Sequence, residues 1–100
     1  MVAAMATISG PASGLSEISR LAAEAIEGWL RDYDGYRGLM IFTKEDAQRS
    51  IVVTLWDTPE DEERARVSRA AMRDQIAAQV GMTVESFEVY EVPVCDVVPA

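Results

Sequence analysis

The chain has no histidine, no asparagine and a single cysteine, Cys95. Without histidine there is no imidazole ligand for a metal or a haem, and no Ser-His or Cys-His pair for nucleophilic catalysis. One cysteine can form neither an internal disulfide nor, without histidine, a Cys/His zinc site. We therefore expect no metal or other cofactor, and we interpret Cys95 as a small apolar residue in a reducing compartment.

Basic residues are also scarce, with nine Lys and Arg against seventeen Asp and Glu and a net charge of −8. Nucleic acids and anionic membrane surfaces attract basic proteins, so neither is expected as a partner. No apolar run approaches the roughly 18–20 residues of a membrane span, and the N-terminal stretch lacks the basic region of a signal peptide. These features predict one cytoplasmic domain over residues 1–100.

The most informative stretch is the apolar run Ile51 to Trp56. A strand with one wet face alternates apolar and polar residues, whereas this run predicts a strand covered on both faces. Thr58 and Pro59 follow as a helix-entry signal, and four acids then complement the positive end of the helix dipole. A buried strand is thus predicted to lead directly into a capped helix.

The remaining elements follow from periodicity and turn signals. Strands are predicted over 2–9, 36–44, 51–56 and 83–94. A first helix is predicted from a cap at Ser13 or Ser16 to about Asp32, and a second from Pro59 to before Gly81, with a possible break at Ser68. The apolar stripe of the first helix comprises Ile18, Leu21, Ala22, Ala25, Ile26, Trp29 and Leu30.

The order β-α-β-β-α-β is that of the ferredoxin-like, or split βαβ, plan. It predicts an α+β fold with a four-stranded antiparallel sheet and two helices on one face. The other face carries alternate residues of the two apolar strands. Since a contiguous exposed apolar face marks an association surface, we predict a homodimer that joins the open sheet faces into an α+β barrel.

Several local sequences resemble the antibiotic-biosynthesis-monooxygenase-like (ABM-like) group of the dimeric α+β barrel superfamily. They are the Tyr36-Arg37-Gly38-Leu39 entry, the Trp56-Asp57-Thr58-Pro59-Glu60-Asp61 corner and the last strand with Phe87-Glu88-Val89-Tyr90-Glu91. The resemblance covers nearly the whole chain. It implies either a cofactor-independent monooxygenase acting on an aromatic or polyketide-like molecule, or a non-catalytic ligand-binding or dimerisation domain.

The sequence departs from the catalytic pattern of that group. Quinone-forming members place Asn four residues before the tryptophan and Tyr six residues after it, whereas this chain has Val52 and Glu62. Haem-degrading members use a histidine and an asparagine, which the chain lacks. The resemblance therefore assigns no catalytic residue and leaves open whether the chain is an enzyme.

The resemblance does imply a pocket between the sheet and the helices, with a small aromatic molecule as the candidate ligand. The candidate lining residues are Trp56, Thr54, Val52, Trp29, Arg73 and Tyr90, with Arg69 as an alternative to Arg73 at the mouth. A hydroxyl such as that of Tyr90, Tyr36 or Thr54 could orient a phenolic substrate, and only carboxylates remain as bases. A filled cavity would instead indicate a small dimeric protein without a ligand.

Overall fold

The structure, a computed structural model, describes residues 1–10, 15–79 and 81–98. Its elements are β1 (Val2–Ser9), α1 (Leu15–Leu30), β2 (Tyr36–Lys44), a short 3₁₀ turn (Glu45–Ala47), β3 (Arg49–Trp56), α2 (Pro59–Gln79) and β4 (Thr83–Glu91). This is the predicted β-α-β-β-α-β order, and the predicted bounds of β1 and β2 are confirmed. The α+β, ferredoxin-like plan is confirmed with them.

The four strands form one antiparallel sheet in the order β2-β3-β1-β4. β2 and β3 form a hairpin, and Gln48, in the turn that joins them, has the left-handed conformation with φ 51°. At one end of the sheet, Tyr36, Trp56, Val2 and Glu91 stand in one row across the four strands. Directly paired residues share a face, so this row points toward the helices.

The helices depart from their predicted ends in small ways. α1 begins at Leu15, so Ser16 lies inside the helix and is not its cap, while Ser13 lies outside the described residues. The helix ends at Leu30 rather than Asp32. α2 runs without a break through Ser68, and its predicted cap is confirmed because the Asp61 backbone N–H donates to Thr58 Oγ1 at 3.1 Å.

The last strand is shorter than predicted and contains an irregularity. β4 ends at Glu91, two residues before Pro93, whereas the apolar pattern predicted a strand to Val94. The register shifts so that Thr7 pairs with Ser86 and Ile8 with Val84. Val84 therefore shares the helix-covered face with Phe87, although strict alternation would place them on opposite faces, because a bulge changes the alternation of side chains.

The core lies where the two helices meet one end of the sheet. Val2, Leu30, Trp56 and Ala65 form a fully buried cluster, and Leu30 and Trp56 have no exposed surface at all. The predicted stripe of α1 is buried only toward its C-terminal end. Ile26 and Trp29 are half-buried, but Leu21 and Ala25 are exposed, which corrects their prediction as core residues; the side chain of Ile18 lies outside the described part.

The opposite face of the sheet is partly open. Phe42 is 53% exposed, and Met40 and Tyr90 are also exposed, whereas Val53 and Ala3 are already buried among their neighbours. The apolar run of β3 is thus covered on its helix side and shielded only in part on the other.

Candidate functional site

The Trp56 corner is tightly packed. The indole Nε1–H donates to the Thr54 hydroxyl at 2.9 Å, and both side chains are buried. Two tyrosine rings contact the indole edge to face, Tyr36 with centroids 5.6 Å apart and Tyr33 at 6.4 Å. Such pairs add about 0.5–1.5 kcal/mol beyond burial. Because Trp56 has no exposed surface, it supports the corner from inside and does not itself face a ligand in the described structure.

The candidate site residues do not all come together. Trp56 and Thr54 are in direct contact, and the half-buried Val52 follows on the same face of β3. Trp29 reaches this cluster only through the ring of Tyr33, at 6.4 Å. Tyr90 pairs with Ala3 in the sheet, on the face away from the helices, and its hydroxyl donates to Glu88. Arg73 and Arg69 lie on α2, and their side chains are outside the described part.

An open groove lies elsewhere, between α1 and the edge strand β2. Its volume is about 770 Å³, within the range of small-molecule sites. One wall comprises Arg20, Ala23 and Glu27 of α1 with Arg31, which directly follows the helix. The wall from β2 comprises Tyr36, Arg37, Gly38, Leu39, Ile41 and Thr43. We refer to it as the α1–β2 groove. The groove exists because α1 packs on the sheet through the C-terminal end of the helix.

Arginine side chains are concentrated at the α1–β2 groove of this strongly acidic protein. Three of the nine basic residues of the chain line it, Arg20, Arg31 and Arg37, against one carboxylate, Glu27. Arg31 Nη2 lies 2.6 Å from Glu27 Oε1, and Arg37 Nε lies 3.0 Å from Asp57 Oδ1. Exposed ion pairs of this kind contribute only about 0–1 kcal/mol, and each guanidinium keeps further N–H donors. The groove therefore offers guanidinium N–H donors to an acidic group, although Glu17, Glu24, Glu27 and Asp57 offset the charge of the three arginines.

Arg20 and Arg31 are held in place by neighbours one turn away. Arg20 pairs with Glu17 at 2.6 Å and with Glu24 at 3.2 Å. The hydrogen bond and the charge of Glu27 raise the pKa of Arg31 above its ordinary value. Arg31 is therefore charged throughout the physiological pH range, and any pH dependence of binding must come from the ligand or from another group.

A buried carboxylate, that of Glu62, could not be recognised from the sequence. Glu62 is 1% exposed although it is one of three acids in the first turn of α2. One of its oxygens lies 3.2 Å from Arg66 Nε, and the Arg66 guanidinium lies 4.9 Å from the centre of the Phe87 ring. The only feature of the sequence that indicates its burial is the spacing of three residues between Glu62 and Ala65. This spacing places both side chains on one face of α2, and Ala65 is buried.

Two other kinds of site are absent from the described residues. No group of three or more Cys, Asp or Glu side chains there is arranged to hold a metal ion. Within the same residues, no helix combines the length and the apolar character that a membrane crossing requires.

Comparisons with known proteins identify the fold. No family profile and no curated protein matches the sequence. Among solved structures, a Deinococcus radiodurans protein proposed to be an antibiotic biosynthesis monooxygenase matches with a TM-score of 0.72 and 14% identity, over 100% of both chains. A monooxygenase of Streptomyces coelicolor, ActVA-Orf6, was solved in complex with nanaomycin D; it matches with a TM-score of 0.69 and 14% identity, over 99% of this chain and 92% of the other.

A third solved structure is a MhuD variant with two manganese protoporphyrin IX molecules bound per active site. It matches with a TM-score of 0.69 and 22% identity, over 99% of this chain and 100% of the other. The resemblance found in the sequence is thereby confirmed at the level of fold: the chain has the same fold as these structures.

Proposed function

We propose that this chain is a cofactor-independent monooxygenase of the ABM-like type, whose substrate is a small aromatic or polyketide-like molecule bound as an anion in the α1–β2 groove. The single observation that carries the proposal is the groove itself, which combines apolar walls with three arginines on an ABM-like scaffold. The monooxygenase and porphyrin-binding structures of the same fold support a small-molecule ligand.

The groove offers complementary contacts to the two parts of such a ligand. Leu39 and Ile41 of β2 and Ala23 of α1 supply apolar surface for a ring system. The half-buried Tyr36 ring, braced by Trp56, supplies an aromatic edge or face. Arg31 or Arg37 then binds the phenolate, enolate or carboxylate of the ligand through charge-assisted hydrogen bonds.

The proposed chemistry uses the substrate as its own reductant. In an anthrone, loss of a ring CH₂ proton gives an enolate, which transfers electrons to O₂. A new C–O bond forms a hydroperoxide, and loss of one water leaves the quinone carbonyl, so one O₂ is consumed and one water is released. Cations beside the substrate favour its anionic form, and Glu27 is the lining carboxylate placed to accept the proton.

Oxygen uptake with 1,8-dihydroxyanthrone tests the activity. The wild type is expected to accelerate uptake above the buffer rate, with one quinone formed per O₂. Glu27→Gln is expected to lower the rate at saturating substrate at least tenfold, and Arg64→Met, a change on α2 outside the groove, to leave it unchanged. If the wild type takes up oxygen no faster than a Trp56→Ala control, the enzyme proposal is rejected for this substrate class.

Non-catalytic binding of the same ligands is the second candidate. It is favoured by the ion pair of Glu27 with Arg31, which already engages that carboxylate, and by the absence of histidine and asparagine from the chain. Binding of an anthraquinone carboxylate without oxygen uptake would support this alternative.

We also propose that two copies associate through the open sheet face. Phe42, Met40 and Tyr90 are exposed on that face. Met40 and Phe42 pair with Val53 and Ile51 of β3, and Tyr90 pairs with Ala3 of β1. Packing this face against a copy of itself removes apolar area from water on both sides, which is worth about 25 cal/mol for each Å². The expected state at micromolar concentration is a dimer.

A further inference from the structure

The three arginines of the α1–β2 groove differ in how many of their side-chain nitrogens are already engaged. All three nitrogens of Arg20 donate to carboxylates of its own helix. Nε and Nη2 lie 3.4 and 2.6 Å from oxygens of Glu17, and Nη1 lies 3.2 Å from an oxygen of Glu24. Because two carboxylates share its charge, Arg20 is the least suited of the three arginines to bind a further anion.

Arg37 engages its guanidinium at one nitrogen. Its Nε lies 3.0 Å from Asp57 Oδ1, and no hydrogen bond from either terminal nitrogen is found within the described residues. A guanidinium held at Nε keeps the edge formed by Nη1 and Nη2, which carries two parallel N–H donors. Arg37 therefore has an edge that a two-oxygen anion can bind.

A β-bulge places Arg37 at the groove. Tyr36 pairs with Trp56 and Gly38 pairs with Leu55, so Arg37 is an extra residue with no opposite residue in β3. Strict alternation would direct Arg37 and Tyr36 to opposite faces of the sheet, yet both line the groove. Bulges re-aim side chains in this way and are common beside functional sites.

Asp57 is fixed on the same corner from a different element. It directly follows the fully buried Trp56, and its backbone N–H donates to the Gly35 carbonyl at 2.8 Å. The backbone of Asp57 thus contacts residue 35 while its carboxylate contacts Arg37. Exposed ion pairs contribute only about 0–1 kcal/mol to stability, so the main consequence of this pair is the orientation of Arg37.

We infer that the acidic group of a groove ligand is a carboxylate, that the Nη1–Nη2 edge of Arg37 binds both of its oxygens, and that Asp57 is the positioning residue for this edge. The inference rests on the proposed function for the aromatic part of the ligand and names the acidic part. A carboxylate matches two parallel donors, whereas a phenolate has one oxygen to offer.

The position of Arg37 also gives the bound ligand a direction. Arg31 directly follows α1 and Arg37 is the second residue of β2, so both flank the short connection between these elements. Arg20 lies eleven residues before Arg31, about 16 Å along the helix axis. The carboxylate therefore binds at the connection, and the rings extend along Leu39 and Ile41 toward Arg20.

Calorimetric titration with anthraquinone-2-carboxylate and its neutral carboxamide tests the role of Asp57. Asp57→Ala is expected to weaken binding of the acid at least threefold and to leave binding of the carboxamide unchanged. Asp57→Asn keeps an oxygen that accepts from Arg37 Nε–H and is expected to retain at least half of the wild-type affinity.

Both Asp57 variants remove the same negative charge, so charge alone would strengthen binding of the acid in both. Stronger binding of the acid by both variants would therefore overturn the inference. A loss shared equally by the acid and the carboxamide would show that Asp57 only maintains the corner, and would also overturn it.

Lysine substitution tests the two-donor edge. Arg37→Lys keeps the charge and removes the parallel donors, so it is expected to weaken binding of the acid at least fivefold. Binding of 2-hydroxyanthraquinone, at a pH where it is a phenolate, should change less than twofold. Arg20→Lys is the matched control and should leave binding of the acid unchanged. Equal effects of the two substitutions, or equal losses for the acid and the phenolate, would contradict the inference.

Benzoate, which has the carboxylate without the polycyclic part, separates this inference from the proposed function. It is expected to shift the Arg37 Nε–Hε signal in spectra of ¹⁵N-labelled wild type. If the anthraquinones do not bind but benzoate shifts this signal and Asp57→Ala abolishes the shift, the inference stands and the proposed function fails. If Arg37→Lys binds the anthraquinone acid as tightly as wild type does, the inference fails and the proposed function stands. Absence of both responses would overturn both.

Discussion

The buried hydrogen bond between Trp56 and Thr54 shows how one residue can serve the fold rather than a ligand. The indole and the hydroxyl are both removed from water and satisfy each other at 2.9 Å. The tyrosines on either side fix the orientation of the indole. Trp56 therefore organises the corner between β3 and α2 and braces Tyr36 at the groove.

Thr54→Val should lower the free energy of unfolding by about 1–3 kcal/mol, because the indole N–H loses its acceptor in a buried site. In a Trp56→Phe background the same substitution should cost less, because the donor is already absent. Urea unfolding of the four proteins in this cycle measures the coupling. A Thr54→Val cost that is the same in both backgrounds would show that the hydrogen bond contributes nothing.

Glu62 and Arg66 provide a contrast with an exposed pair on the same helix. Arg66→Leu leaves the buried Glu62 carboxylate without the guanidinium that pairs with it. This should lower the free energy of unfolding by about 3 kcal/mol. Arg64→Leu removes the ion pair of Arg64 with Asp61, whose charged atoms lie 3.1 Å apart. Because the arginine is well exposed, the free energy of unfolding should fall by less than about 1 kcal/mol. Equal losses in thermal or urea unfolding would contradict the assigned difference in burial.

At the scale of elements, the corner before β2 depends on a glycine. Gly35 has φ +81°, and a Cβ there would lie 2.7 Å from Asp61 Cβ. Its carbonyl accepts the Asp57 N–H at 2.8 Å, which ties the end of α1 to the start of the β3–α2 turn. The corner therefore needs both the left-handed backbone and the missing side chain.

Gly35→Ala should destabilise the protein by about 2 kcal/mol or more, through backbone strain and the clash with Asp61. Gly28→Ala is the matched control. Gly28 lies within α1, and no neighbouring atom comes within 4 Å of the place that an alanine methyl would take, so alanine there should stabilise by about 0.5–1 kcal/mol. Melting temperatures of the two variants that move in the same direction would contradict this account.

Strands were easier to predict than the groove for a physical reason. Turn-forming residues follow β1 at Gly10-Pro11 and precede β2 at Asp34-Gly35, and hydrophobic patterning is a local property. The end of β4 was misjudged because Val92 and Val94 continue the pattern although pairing stops at Glu91. The groove depends on the angle at which α1 packs, and Leu21 is exposed although its spacing is that of a core residue. Nothing local in the sequence encodes that angle.

At the scale of the whole molecule, surface charge and apolar surface are separated. The net charge of the chain is −8, yet three arginines line one groove. Apolar side chains are exposed on the face of the sheet opposite the helices. The first feature suits a small anion, and the second suits another copy of the chain.

Phe42→Glu should weaken self-association at least tenfold, because it places a charge in the middle of the proposed interface. Sedimentation equilibrium of the variant and the wild type measures this effect. Glu85→Lys, a charge change on β4 away from the face centre, should have less effect. A wild type that is monomeric at micromolar concentration would contradict the proposed dimer.

The central claim is that the α1–β2 groove binds a small aromatic anion, and amide chemical shifts of ¹⁵N-labelled protein test it most directly. Titration with anthraquinone-2-carboxylate should shift amides of residues 20–31 and 36–43 and leave those of α2 largely unmoved. The neutral carboxamide should bind at least fivefold more weakly, and Arg31→Met should remove that preference. Shifts confined to α2 and β4, or equal affinity for the acid and the amide, would contradict the claim.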